Sequence, residues 1–207
     1  MVKKPWYPVV YMFVITAVFS SAVIGFSRYT GSRVQANRER SIETAVLKVL
    51  PDMYDPGLSA VELHTRFETM IEQPSERTEG AYVLRKNGQT AGYALPVQGQ
   101  GFWADIKLII GISPGLDTIT GLSVYEQRET PGLGAEITNK AFTEQFQGLK
   151  VSSGDIPVSF KRPGTDLTEG EVHAVTGATQ TSVRLEQFLN EQLNIWLKNM
   201  KSNKDSI

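Results

Sequence analysis

The chain of 207 residues contains no cysteine and only two histidines. The first absence excludes disulfides, thiolate metal sites and cysteine-ligated iron–sulfur clusters. The histidines, His64 and His173, lie far apart without metal-ligand spacing, so no protein-bound metal is expected. An excess of charge is missing as well. Lys and Arg number 21 against 22 Asp and Glu, giving a formal net charge of -1 and a pI near 6.2. No Lys/Arg-rich run breaks that balance, so the electrostatic footprint of a nucleic-acid binder is missing. No internal repeat is visible.

A local absence marks the N-terminus. Residues 9–26 carry no charge, and the run from Val9 through Ile15 into Ala22, Val23 and Ile24 is apolar enough for a membrane span at its lower limit of about 18 residues. Trp6 and Tyr7 flank one end and Tyr29 the other, as interfacial aromatics do. Lys3 and Lys4 resemble the basic start of a signal peptide, but no small-x-small cleavage site closes the run, which also exceeds a typical signal core. A short tail (1–8) followed by an uncleaved anchor (9–27) is expected. Arg28, Arg33, Arg38 and Arg40 follow the span and outnumber the two lysines before it. Charge alone thus places the following domain in the cytoplasm.

Beyond the anchor, Ile42, Ala45, Val46, Val49 and Leu50 recur at helical spacing, and Pro51 ends the pattern. Residues 28–51 are expected to form a helical stalk; a surface helix on the domain fits the same residues. Residues 52–79 carry no usable motif. From Gly80 the pattern changes to strands: 81–85 and 90–95 flank Asn87-Gly88, a strong hairpin signal, and 106–112 and 119–125 follow, joined through Pro114-Gly115. A short helix is predicted over 139–146, with further strands at 158–160 and 171–175. A last helix at 180–200 sets Leu185, Leu189, Leu193, Trp196 and Met200 along one stripe. The expected class is α+β, a mainly antiparallel sheet packed with helices over 52–203, with a tail at 204–207.

The most informative stretch is Thr176-Gly177-Ala178-Thr179-Gln180-Thr181-Ser182. Its first four residues put two hydroxyls, a glycine and an alanine at the mouth of that last helix, where free backbone N–H groups and the positive end of the dipole favour a phosphate. Gly177 and Ala178 allow close approach, and the Thr179 hydroxyl is placed to bond the phosphate or be esterified to it. The plainer reading is that the threonines cap the helix. Upstream lies Glu129-Thr130-Pro131-Gly132-Leu133-Gly134, and the two motifs in this order resemble the FMN-binding domain family, which includes the G-type subunit of the Rnf ferredoxin:NAD+ oxidoreductase and the C-type subunit of the Na+-translocating NADH:quinone oxidoreductase.

The resemblance implies FMN carried covalently on Thr179 as a phosphoester, with Thr176, Gly177 and Ala178 completing the motif. It places Glu129, Thr130, Gly132 and Leu133 beside the isoalloxazine ring, Leu133 as an apolar wall, with Trp103 approaching the ring from Gly99-Gln100-Gly101-Phe102-Trp103. A lysine near the flavin corresponds to Lys161. The pattern read by the family's flavin transferase has an aspartate three residues before the first threonine, where this chain has His173; the residue-level reading of His173 is a half-buried strand position without chemistry. The implied function is a membrane-anchored electron carrier in an ion-translocating respiratory complex, with the flavin domain on the outer side, opposite to the charge count. Its partners are then other subunits of the complex, the transferase and the membrane. The chain's length resembles that of the Rnf protein, whereas Gly101-Phe102-Trp103 and Gly134-Ala135-Glu136-Ile137 resemble the quinone oxidoreductase protein. A reading of another class, an anchored scaffold or sensor without covalent flavin, draws on His173 alone. A lipid or quinone binder has no specific residue behind it.

Overall fold

An uncharged run that contains no proline beyond its first turn can stay helical without interruption, and it does. The computed structural model describes residues 6–152, 154 and 156–205. Lys3 and Lys4, the rest of 1–5 and residues 206–207 lie outside the described residues. Contacts divide the chain into residues 1–40 and 41–207. Helix α1 spans Tyr7–Val49. Pro8 sits in its first turn, where a missing N–H costs no helical hydrogen bond. The apolar window of α1 has a mean hydropathy of 2.2, no part of it is buried, and it is long enough to cross a membrane. Phe13 and Phe19 are 72% and 65% exposed. A helix that is apolar all round and has no protein against it is suited to lipid.

The last two turns of α1 belong to the domain core. Ala45, Val46, Leu47, Val49 and Leu50 are all buried, together with Met53, Phe67, Ile71, Leu84, Ala94 and Ile109. The expected stripe omitted Leu47, which is fully buried because this end of the helix is covered by both the sheet and helix α2 (Ala60–Met70). That second helix arises in a stretch that offered no motif. Its start is a capping box, in which Ser59 Oγ accepts the Glu62 N–H at 3.3 Å and Glu62 Oε2 accepts the Ser59 N–H at 2.8 Å. The Ser59-x-x-Glu62 spacing is the signal that reveals it.

Six antiparallel strands form one sheet in sequential order: β1 (Ile71–Glu72), β2 (Tyr82–Lys86), β3 (Gln89–Gln100), β4 (Asp105–Ile112), β5 (Thr118–Glu126) and β6 (Leu149–Lys150). Asn87 and Gly88 turn the expected hairpin with φ of 53° and 77°, the left-handed pair that a two-residue turn demands. Strand β3 runs five residues past the expected end at Leu95, through Pro96. Its pairing with β2 stops at Ala94 while pairing with β4 continues to Gln100, so Pro96 lies on an edge that asks for no N–H from it. Further along that edge Gln192 takes the place of a strand, its Nε2 donating to Gln98 O at 2.7 Å and its Oε1 accepting the Gln98 N–H at 3.3 Å.

Short helical turns (Gly134–Thr138, α3 at Lys140–Thr143, Glu144–Phe146) replace the single helix predicted over 139–146. Strands β7 (Ser159–Lys161) and β8 (Glu171–His173) form a separate parallel pair. Helix α4 (Thr179–Asp205) buries the predicted stripe, together with Phe188 and Leu197, against Val83, Leu95, Val97, Leu108 and Ile110. With both faces of the sheet covered, the continuous run Leu108-Ile109-Ile110 has no residue to spare for solvent. The α+β architecture expected from the sequence is the one observed.

Gly111 is where α1 meets the sheet. A Cβ there would collide with the carbonyl oxygen of Val49 and with Thr120 Oγ1, which donates to that same carbonyl at 2.5 Å. Gly111→Ala should therefore destabilise the domain by about 1–3 kcal/mol, as overpacking against backbone does. Urea unfolding of the full chain in detergent measures it, and a midpoint equal to wild type would show that the α1 end moves aside freely.

Candidate functional site

Three segments distant in sequence meet at the start of α4. The first is the turn between β3 and β4, where Gly101 N–H donates to Ala104 O at 2.8 Å and Phe102 and Trp103 are left outside. The second is the loop after β5. There Thr130 O accepts the N–H groups of Leu133 and Ala135, both at 3.1 Å, and Gly132 takes φ +75°. The third is the 176–179 motif, whose Gly177 has φ +77°. A side chain at Gly177 would be strained and would also meet Leu133 Cδ2 at 3.2 Å, so the glycine keeps the second and third segments in contact.

Polar side chains fasten these segments to one another. Thr181 Oγ1 donates to Glu129 Oε2 at 2.7 Å, and Glu129 Oε1 accepts the Trp103 N–H at 2.9 Å. Arg184 donates through Nη1 to Gly101 O at 3.2 Å. Of the residues expected to face a ring, Glu129 is therefore an anchor, only 5% exposed. Thr181 stands in the motif stretch without an expected role, and Arg184 lies beyond it; their position in the first and second turns of a helix that begins with the motif is the available signal.

The threonines do not cap α4, as the plainer reading had it. Ala178 occupies the cap position, its carbonyl accepting the first helical N–H from Ser182 at 3.0 Å, while Ser182 Oγ accepts the Val175 N–H at 3.1 Å. Alanine offers no side-chain acceptor, so the amides of the first turn remain available to an anion. Thr179 is exposed, and no hydrogen bond holds its hydroxyl among the described residues.

Two clefts meet at Gly177 and Thr179, which line both. One, of about 360 Å³, is walled by Phe102, Trp103, Leu133 and the first residues of α4, with Glu129 and Thr130 along it. Its aromatic and aliphatic walls are partly bare: Phe102 is 45% exposed, Trp103 66% and Leu133 45%. The other, of about 650 Å³, is lined by Phe160, Lys161, Arg162, Val175, Thr176 and Val183, among others. Although larger, it has one aromatic wall, Phe160, against Phe102 and Trp103 in the smaller cleft, which therefore suits a planar ring better. Leu133 and Trp103 line the smaller cleft, whereas Lys161 lines the larger one. Its ammonium pairs with Glu171 at 3.1 Å. The Thr168 N–H, the Thr168 hydroxyl and that ammonium hold the Glu171 carboxyl below its ordinary range.

His173 sits in β8 opposite Lys161, its main chain bonded to the Gln145 side chain and its Nε2 lying 2.8 Å from Thr165 O. It is a half-buried strand residue, as the residue-level reading has it. Among the described residues no group of three or more His, Asp or Glu is placed to hold a metal.

Comparison with known proteins finds that residues 101–194 match the FMN-binding domain model, a span that holds both clefts and every residue of the expected site. The C-type subunit of the Na(+)-translocating NADH-quinone reductase of Neisseria meningitidis is 36% identical over 115 residues, covering 54% of this chain and 44% of the relative. The chain thus spans less than half the length of that relative. The G-type subunit of the Na(+)-translocating ferredoxin:NAD(+) oxidoreductase complex of Acetobacterium woodii is 26% identical over 190 residues, covering 89% of this chain and 88% of the relative. The crystal structure of the quinone reductase's C-type subunit from Parabacteroides distasonis superposes with a TM-score of 0.65 at 24% identity, over 79% of this chain and 95% of that one. The 101–194 segment thus matches the FMN-binding domain model, and the fold is shared with that structure.

Proposed function

We propose that this protein is a membrane-anchored electron carrier that holds FMN as a phosphoester on Thr179, with the ring in the cleft between Trp103 and Leu133. The observation that carries this reading is the free Thr179 hydroxyl on a first turn with open amides, at the mouth of a cleft with apolar walls. The bound flavin supplies one- and two-electron transfer. The chain's own residues do the rest. The first-turn amides and the helix dipole receive the phosphate, and Gly177 lets it approach the main chain. Leu133 and Trp103 shield the ring from water, and their exposed edges leave a short path for an electron to a partner. α1 keeps the domain at the membrane surface.

The ferredoxin:NAD(+) complex protein is the better guide to the role, because this chain matches it nearly end to end, whereas it matches the longer quinone reductase protein over a part. The quinone reductase reading is favoured by the higher identity within that part. Either role implies neighbouring redox subunits, a flavin transferase for maturation and a flavin domain on the outer face. A covalent tether fits that side, where a dissociated cofactor is lost to bulk. The full chain produced with a flavin transferase should stay yellow and fluoresce in a denaturing gel. A colourless band would instead favour an anchored scaffold.

The cleft itself is tested at Leu133. Leu133→Ala should leave the protein folded and flavinylated, since the phosphate is held elsewhere. It should raise the flavin's midpoint potential and alter its visible spectrum, because water admitted to the cleft solvates the charged reduced forms. A redox titration that superposes on wild type would place Leu133 away from the ring.

A further inference from the structure

Glu129 is used by the fold in a way that hydrogen bonding alone does not require. It is 5% exposed and lines the smaller cleft. Both of its carboxylate oxygens accept, Oε1 from the Trp103 N–H at 2.9 Å and Oε2 from the Thr181 hydroxyl at 2.7 Å. Thr181 is itself only 3% exposed. Among the described residues no Lys, Arg or His pairs with this carboxylate. The guanidinium on the same helix, Arg184, donates instead to the Gly101 carbonyl.

Two glycines make the room. A Cβ on Gly101 would stand 2.6 Å from Oε1, and one on Gly134 would stand 2.7 Å from Oε2. Neither glycine has a positive φ, so lack of space demands them: the Cβ on Gly101 would also meet Ala104 O at 2.7 Å, and the one on Gly134 would meet Thr181 Oγ1 at 2.6 Å. A glutamine of the same shape could hold the Trp103 amide and the Thr181 hydroxyl without the penalty of burying a charge that lacks an ion-pair partner. Keeping a carboxylate here has a consequence a neutral side chain lacks: its negative charge lies along the cleft and acts on what the cleft holds.

We propose that Glu129 sets the redox poise of the cleft: a caged carboxylate that fixes the Trp103 turn to α4 and, by its charge, makes the flavin harder to reduce. The inference rests on the flavin reading above. Reduction adds negative charge to the ring, and a fixed negative charge beside it opposes that addition, so the midpoint potential is lower than a neutral cleft would give. Glu129 is in this sense a positioning residue whose charge also matters.

Two substitutions separate charge from shape. Glu129→Gln keeps the length and removes the charge, whereas Glu129→Asp keeps the charge and is too short to make both hydrogen bonds. The full chain, wild type and both variants, is produced with a flavin transferase in detergent. It is checked for fold by circular dichroism and for flavin by intact mass, then titrated. E129Q should carry flavin like wild type, with the reduced form favoured by roughly tenfold more, about 30 mV upward for a two-electron couple. E129D should stay within about threefold of wild type, or 15 mV, on the same scale. Flavinylated E129Q with an unmoved potential overturns the inference. So does an equal shift in both variants, or an E129Q that fails to fold while E129D folds, since each assigns Glu129 a role of shape alone. Wild type that takes up no flavin overturns the reading beneath it as well.

Discussion

Thr179→Val should abolish covalent flavin and leave the domain folded. Valine matches threonine in shape and lacks only the hydroxyl that a phosphoester requires. In the structure that hydroxyl is exposed and makes no hydrogen bond among the described residues. The cap of α4 rests on the Ala178 carbonyl and the Ser182 hydroxyl, neither of which changes. The loss in stability is then about the small difference in helix propensity, a few tenths of a kcal/mol, and not the 0.5–2 kcal/mol of a lost side-chain cap. Intact mass of the chain produced with a flavin transferase should show FMN less one water on wild type and nothing on the variant. Two neighbouring hydroxyls serve as controls. Thr176→Val should keep the flavin, and Thr181 is no substitute acceptor because it is buried against Glu129. A variant at Thr179 that still carries the increment would move the attachment elsewhere.

Trp196→Ala should be the most destabilising substitution on α4, at about 3–5 kcal/mol. The side chain is 3% exposed, meets the Tyr93 ring edge-on at 5.4 Å and donates from Nε1 to Thr78 O at 2.9 Å. It therefore joins α4, β3 and the 75–81 turn, and its removal leaves a cavity and takes one of two donors from the Thr78 carbonyl, which keeps the Ala81 N–H at 3.0 Å. For a chain of this size the melting temperature should fall by roughly 6–20 °C. Trp196→Phe, which keeps an aromatic ring and loses the N–H, should cost about 0.5–1.5 kcal/mol for the lost hydrogen bond, since the Thr78 carbonyl keeps the Ala81 N–H. Thermal unfolding in detergent measures both. A loss below about 1 kcal/mol for the alanine variant would show that the Thr78 turn closes onto α4 without the indole.

Some of the tertiary arrangement was legible because its signals are local. The hairpin at Asn87-Gly88 needs only two adjacent residues with positive φ, and the stripe on α4 needs only a period of 3.6. Helix α2 is equally local: its capping box stands in the sequence as Ser59 and Glu62. Pro96 shows the limit of such signals. A proline reads as a strand end, yet here the strand continues, because the partner on one side has already stopped and Gln192, far along the chain, completes the edge.

By itself, the sequence determined the uncharged span that α1 uses, the α+β alternation and the Thr-Gly-Ala-Thr entry to α4, since each depends on residues within a few positions of one another. Tertiary structure alone decided that Leu47 is core and not stalk, that Ala178 and not a threonine caps α4, and that Lys161 lines one cleft and Trp103 and Leu133 the other. It also decided the joining of Trp103, Glu129 and Thr181. Those residues are separated by 26 and 52 positions, and no periodicity spans such intervals. Their contact exists because α4 packs along the open edge of β3, which brings its first turns beside the β3–β4 turn and the loop after β5. A buried carboxylate in need of two donors then holds the three segments in place.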